Sequence, residues 1–243
     1  MRYLSPFPFD ALTAFIYTLA TTGAVAMSIM VTRYLNIVSS NSSRKLLHIS
    51  MAAVFILCWP MFPDTDEGKV YAMSIPFLFT VVFWIVGRRY VQSTIIVDAM
   101  SRTGKASELT AGPVQYGIIM TLTTFFYWKR VDAIFVILSL AFGDGFAPWF
   151  GAIKKGNKAL WWNPSKTWFG LIAFAVFSAL SIIGYCYYFQ SQHLMRIADR
   201  NFVFNACVVS VVCALTESLT IANYDNITVS AVCVLMYNYL KKF

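Results

Sequence analysis

Charge is what this chain has least of. Asp, Glu, Lys and Arg make up 12% of its 243 residues, against about a quarter in a soluble domain, which excludes an ordinary water-soluble fold. Cysteine is present but unpatterned. Cys58, Cys186, Cys207, Cys213 and Cys233 all sit inside apolar runs without paired ligand spacing, so a disulfide framework and a thiolate metal site are excluded and the five are small core residues. A phosphate-cradling glycine loop is missing too: no GxxxxG precedes Lys166-Thr167, and this is not a P-loop protein. Only Arg2 precedes the first apolar run, and no clean small-residue cleavage site closes it. A retained span is expected there, with neither signal nor transit peptide. The net charge of +8 does not imply nucleic acid, because the basic residues lie mostly between apolar runs. Anionic lipid headgroups and anionic ligands are the expected partners.

Long hydrophobic runs are what the chain has instead, with 58% hydrophobic residues overall. The runs predict eight spans, at 11–32, 46–62, 70–87, 112–128, 131–151, 168–190, 202–222 and 227–241, near the ~20 residues that a bilayer requires. The expected fold is an all-α polytopic integral membrane protein, seven to eight transmembrane helices in one bundle, with 1–243 a single domain. Of the 19 Lys and Arg residues, eleven fall on the side holding the loops 33–45, 88–111 and 152–167, and eight on the other. That bias predicts cytoplasmic placement of these three loops, with the Asp64-Thr65-Asp66-Glu67 loop outside.

Eight alternating spans bring the unusual polar residues to this one face. Arg44, Lys45 and His48 enter the second span there, with Ser42 or Ser43 as expected helix cap. Arg44 and His48, four apart, share a helix face; an Arg can grip phosphate bidentately and a His can donate a hydrogen bond or titrate near neutrality. Glu108 lies one turn before Gly112-Pro113, where it either complements the helix dipole or orients a cation or hydroxyl. Asp144, between Gly143 and Gly145, interrupts the fifth apolar run, and an intramembrane carboxylate marks a functional site by default. The two glycines allow close approach, Pro148 would kink the helix, and Asp144 suits Mg²⁺, which takes one or two carboxylates plus substrate phosphates. Lys166, before Thr167 and Gly170, is placed to neutralise a phosphate. Glu217, in an apolar setting, and Asp225-Asn226, the latter readable as a turn with Asn226 left-handed, complete the face. Lys154, Lys155 and Lys158 read as charges that hold their loop on the cytoplasmic side.

Four segments in order, from Arg44 to Val229, resemble the CTP-dependent polyprenol kinase family, which includes phytol, farnesol and dolichol kinases. Arg44-Lys45-Leu46-Leu47-His48 is similar to the family's Arg-Lys-x-x-His, and Ser101 to Pro113 to its Ser-Arg-x-Gly…Glu-Leu-x-x-Gly-Pro. Asp144 to Gly151, then Lys166-Thr167-Trp168-Phe169-Gly170, resembles its nucleotide-site pair, Asp-x-x-Ala-x-x-x-Gly and Lys-[Ser/Thr]-x-x-Gly. Glu217-Ser218 and Asp225-Asn226-Ile227-Thr228-Val229 are similar to its closing segment. The chain departs from the family's pattern at Phe169, where many relatives carry Glu, at Tyr224, where an acid is usual, and at Ser230, where Pro is usual. The first change leans toward the phytol kinase branch.

The resemblance implies transfer of the γ-phosphoryl group of CTP, or another NTP, to an isoprenoid alcohol: phytol, farnesol, geranylgeraniol or a polyprenol. The alcohol would arrive sideways from the bilayer and the nucleotide from the cytoplasm, at an internal membrane or a plasma membrane. It implies Mg²⁺ on Asp144 and Asp225, and phosphate binding by Arg44 and Lys166. Lys45, Glu108, Gly143, Gly145, Gly151, Thr167, Gly170 and Asn226 complete the nucleotide-binding set. His48 or Glu217 would orient or deprotonate the hydroxyl. Two other enzyme readings use the same ligands, a CTP-dependent diacylglycerol kinase and a phosphatidate cytidylyltransferase. A transporter is a third reading, but the polar groups crowd one face and no internal repeat is visible.

Overall fold

The computed structural model describes residues 9–220 and 224–242; Arg2 and residues 221–223, which the expected seventh span partly takes in, lie outside these. Among the described residues the chain is helical, its only extended pairing an isolated bridge between Ala159 and Thr167. It packs as two compact units, Met1–Trp128 and Lys129–Phe243.

The first unit holds α1 (Ala11–Tyr34), α2 (Ser40–Leu57), α3 (Asp66–Gly87), α4 (Thr94–Met100) and α5 (Gly112–Phe126), with 3₁₀ turns at Trp59–Met61 and Ala106–Thr110. Polar side chains set the helix starts. Asp10 accepts from Thr13 N–H at 2.8 Å ahead of α1, and Thr65 accepts from Gly68 N–H at 3.1 Å ahead of α3. The expected acidic loop is therefore partly the cap and first turn of α3, where Asp66 and Glu67 face the positive end of the helix dipole. The α2 cap differs from expectation. Ser39, not Ser42 or Ser43, accepts from the Ser42 N–H at 3.2 Å, and the helix starts at Ser40, six residues before the apolar run expected at 46. A propagating helix takes in the polar turn because capping it satisfies otherwise orphaned donors. α3 and α5 approach closely at Gly117, where an added Cβ would run into Thr80 Oγ1. Ala26, Leu47, Val86, Ala99, Met100 and Leu109 form a core that joins α1 to α4 and the second 3₁₀ turn.

The second unit holds α6 (Val131–Leu138), α7 (Gly145–Gly151), α8 (Trp168–Ser191), α9 (Phe202–Leu219) and α10 (Asp225–Leu240). A π turn at Ser139–Asp144 joins α6 to α7, and the three run on as one apolar rod, Val131–Gly151. All eight residues of α6 are buried. Phe135 stacks on Tyr237 of α10 with ring centroids 3.9 Å apart. Deep in this unit Ser178 Oγ meets Ser139 Oγ at 2.8 Å and Ser210 Oγ at 3.1 Å, pairing hydroxyls that would be costly to bury alone.

Among the described residues, six helical segments, at Ala11–Tyr34, Ser40–Met61, Asp66–Gly87, Val131–Gly151, Trp168–Ser191 and Phe202–Leu219, are long and apolar enough to cross a membrane. α5 and α10, with 15 and 16 residues, coincide with the fourth and eighth expected spans but fall short of that length. The chain is an all-α, multi-pass membrane protein.

Candidate active site

Four of the expected site residues come together in the second unit. One carboxylate oxygen from each of Asp144, Glu217 and Asp225 lies within 4.8 Å of the others, and the Lys166 ammonium pairs with Glu217. Each arrives on a different element: Asp144 closes the π turn, Glu217 is in the last turn of α9, Asp225 opens α10, and Lys166 ends the 152–167 loop. Glu217 is 5% exposed, and Asp144 and Asp225 are half-buried.

Local structure explains each placement. The π turn adds one residue per turn, a feature often found at functional sites. Pro148, four residues on, has no N–H to offer the Asp144 carbonyl, so the α-helical pattern cannot run unbroken through that position. Gly143 is required by contact: an added Cβ would stand 2.7 Å from the Phe174 ring of α8. Gly151 and Gly170 face each other across α7 and α8, and a Cβ on Gly170 would stand 3.1 Å from the Ala147 carbonyl. Thr167 caps α8, accepting from Gly170 N–H at 3.3 Å. Gly143, Gly151, Thr167 and Gly170, expected to bind the nucleotide, thus hold the elements on which the charged groups stand; Gly145 is buried as the first residue of α7. Asn226 is not left-handed. It lies within α10, its N–H donating to Asp225 Oδ1 at 3.0 Å and its carbonyl accepting from Ser230 at 2.7 Å, because the helix starts one residue earlier than a turn would allow.

Burial pushes the Lys166 ammonium down in pKa, but Glu217, with Asp144 and Asp225 adding to it, outweighs that and holds it above its ordinary value. Lys166 is therefore a cation at any physiological pH. Three convergent carboxylates are the hard oxygen donors that Mg²⁺ accepts. The donor set fits that ion, with Glu217 added to the two expected ligands.

The remaining expected residues belong to the first unit. Lys45 is buried, at 3% exposed, while Arg44 and His48, one turn apart on α2, are half-buried. Arg44 donates to Asn41 Oδ1 at 3.3 Å. The His48 ring stacks on Tyr116 of α5 at 4.0 Å, and the Tyr116 hydroxyl donates to the His48 carbonyl at 3.2 Å. Tyr116 was not marked by the sequence, since an aromatic three residues past a helix-starting proline reads as core. Glu108 closes its own loop, accepting from Arg102 N–H at 2.6 Å, from Thr103 N–H at 3.0 Å and from the Thr103 hydroxyl. Burial pushes its carboxyl up, but these bonds from Thr103 and Arg102 outweigh it and hold the group below its ordinary value. Ser40 donates to the Ser101 carbonyl at 2.9 Å, so the start of α2 and the Glu108 loop share one end of this unit.

No protein-family model and no solved structure matches the chain. Curated relatives do. It is 32% identical over 234 residues to a probable phytol kinase 3, chloroplastic, of Glycine max, covering 93% of this chain and 73% of that protein. It is 35% identical over 190 residues to a farnesol kinase, chloroplastic, of Arabidopsis thaliana, covering 77% of this chain and 61% of that one. With phytol kinase 1, chloroplastic, of the same plant, identity is 29% over 203 residues, 82% of this chain and 66% of the relative. The first match, above 30% identity, spans nearly the whole chain and most of the relative, so the chain belongs to the polyprenol kinase family that includes phytol kinase and farnesol kinase.

Proposed function

We propose that this protein transfers the γ-phosphoryl group of CTP, or of another NTP, to the hydroxyl of an isoprenoid alcohol held in the bilayer. The observation that carries the reading is the convergence of Asp144, Glu217 and Asp225 with Lys166 at the ends of apolar helices, in a chain of this family. Phosphoryl transfer requires little covalent chemistry from a protein; it is positioning and neutralisation of charge. Asp144, Asp225 and Glu217 would hold Mg²⁺, which when bound supplies charge neutralisation at the phosphates. Lys166, kept protonated by its acidic neighbours, stabilises charge on the transferring group. Arg44 and Lys45 keep the phosphate-binding roles that the family resemblance implies, Arg44 through its planar fork. The resemblance offers His48 or Glu217 to take the proton of the alcohol; with Glu217 assigned to Mg²⁺ and paired with Lys166, His48 is the candidate that replacement by Asn tests first. The isoprenoid tail stays in hydrocarbon while the nucleotide comes from the cytoplasmic side.

The test uses the purified protein in lipid, γ-labelled CTP and Mg²⁺, with a panel of phytol, farnesol, geranylgeraniol, a polyprenol and diacylglycerol. Label in an isoprenoid monophosphate, with CDP formed, supports the proposal. Label in diacylglycerol alone would replace the acceptor class, and release of pyrophosphate from CTP and phosphatidate would replace the reaction.

A further inference from the structure

We propose that Asn163 is the positioning residue for Lys166, acting with Trp162 as a latch that fastens the 152–167 loop to Ser218, the neighbour of Glu217 on α9. The inference rests on the reading of Lys166 as the cation that neutralises the transferring phosphate.

Lysine carries its charge on a long flexible stem, so where the ammonium can reach depends on how firmly its backbone is held. Here both backbone groups of Lys166 are committed. Its N–H donates to the Asn163 carbonyl at 3.0 Å, and its carbonyl accepts from Leu160 N–H at 2.9 Å. The Asn163 side chain is used at both ends. Oδ1 accepts from the Ser165 N–H at 3.2 Å and from the Ser165 hydroxyl at 2.6 Å, which folds the segment leading into Lys166. Nδ2 donates to the Ser218 carbonyl at 2.9 Å. That carbonyl belongs to the last turn of α9, where helix carbonyls have no regular intrahelical donor. Beside it, Trp162 Nε1–H donates to Ser218 Oγ at 3.1 Å, and Ser218 is fully buried.

Two side chains from successive loop residues thus grip one residue, and that residue is adjacent in sequence to the acid with which Lys166 pairs. A loop needing only stability has its own internal bonds for that: Trp168 N–H to the Lys158 carbonyl at 3.0 Å, and Asn157 Nδ2 to the Gly151 carbonyl at 3.0 Å. The Asn163 and Trp162 bonds do something different. They fix the distance from the Lys166 backbone to Glu217.

The test compares Asn163→Asp and Trp162→Phe with the full-length wild type in lipid. Asn163→Asp keeps the acceptor for Ser165 but sets an oxygen against the Ser218 carbonyl; Trp162→Phe keeps a ring and loses only the Nε1–H. The KM for Mg-nucleotide should rise about tenfold in the first and about threefold in the second. KM for the lipid alcohol and thermal stability should be unchanged, while kcat should fall by up to about tenfold, because Lys166 also stabilises charge on the transferring group. Because the latch acts through Lys166, Asn163→Asp should add nothing to the loss of nucleotide binding in a Lys166→Gln background. An unchanged nucleotide KM in Asn163→Asp overturns the latch while leaving the kinase reading intact. So does a full further loss in the Lys166→Gln background, or a fall of kcat and thermal stability with a parallel rise of both KM values. A wild type that neither binds nor turns over nucleotide overturns both.

Discussion

Two acids of the second unit are equally hidden, yet they are held in opposite ways. Asp132 and Glu217 are each 5% exposed. Asp132, in the first turn of α6, receives Lys241 Nζ at 2.6 Å and the Arg130 guanidinium at 3.2 Å, so the start of α6 is tied to the chain just past α10. Lys241 also lies over the Tyr237 ring, 5.1 Å from its centroid. Glu217 meets a cation too, Lys166, but it stands among two further carboxylates. Bringing like charges together opposes folding unless something recovers the cost. Burial alone does not separate a structural acid from a functional one; the company it keeps does.

The sharpest way to break this contrast is to neutralise one acid at each end. Asp144→Asn should lower phosphoryl transfer by about a thousandfold or more, since the reaction depends on charge placement, while thermal stability stays level or rises as like-charge repulsion is relieved. Thermal melting together with the labelled-CTP assay reads both. Full activity at normal expression would remove Asp144 from the site. Asp132→Asn should do the reverse: a stability loss of about 1–3 kcal/mol from weakened charge-assisted bonds, with activity per folded molecule within about twofold. Loss of activity with unchanged melting would show that the Asp132 end is not merely a staple.

A smaller effect comes from Glu108 in the first unit, a third way of holding an acid, by backbone N–H groups of its own loop. Its carboxyl lies below the ordinary value of 4.5 in the folded chain. The stabilisation is therefore complete above that value and is lost as pH falls through the lower folded one. Hydrogen exchange at the Arg102 and Thr103 amides should accelerate on acidification beyond the intrinsic rate, and Glu108→Gln should abolish that pH dependence. Equal protection in the two proteins across the acid range would remove Glu108 from the loop's support.

Much of this was legible in the apolar runs, because a bilayer-spanning helix announces itself by length. The run expected at 11–32 is α1, Ala11–Tyr34, and that at 168–190 is α8, Trp168–Ser191. Asp144 and Glu217 were legible for the same reason, as acids where none should be without cause. What the runs hid is long-range partnership. Asp132 alone reads as an acid at a helix start; Lys241, 109 residues away, makes it a clamp. Asn163 reads as a loop residue until Ser218, 55 residues on, accepts from it. The α2 cap was misplaced because Ser39, Ser40, Ser42 and Ser43 offer the same hydroxyl, and only the backbone chooses among them. The glycines were legible as points of close approach, and at Gly143, Gly151 and Gly170 what approaches is the neighbouring helix.

The π turn at Ser139–Asp144 makes the site depend on chain length as well as on chemistry. An α-helix advances about 100° and about 1.5 Å per residue, and a π turn is one residue more than that rhythm allows. Deleting a single residue there would spare every acid and every lysine. It would nevertheless let the turn close into regular α-helix, and so re-aim the residues of the turn, Asp144 among them, while α6 and α7 run on as before. The carboxylate is thus steered by counting. Insertions and deletions in this short segment, rather than substitutions alone, are the changes to which the site is most exposed.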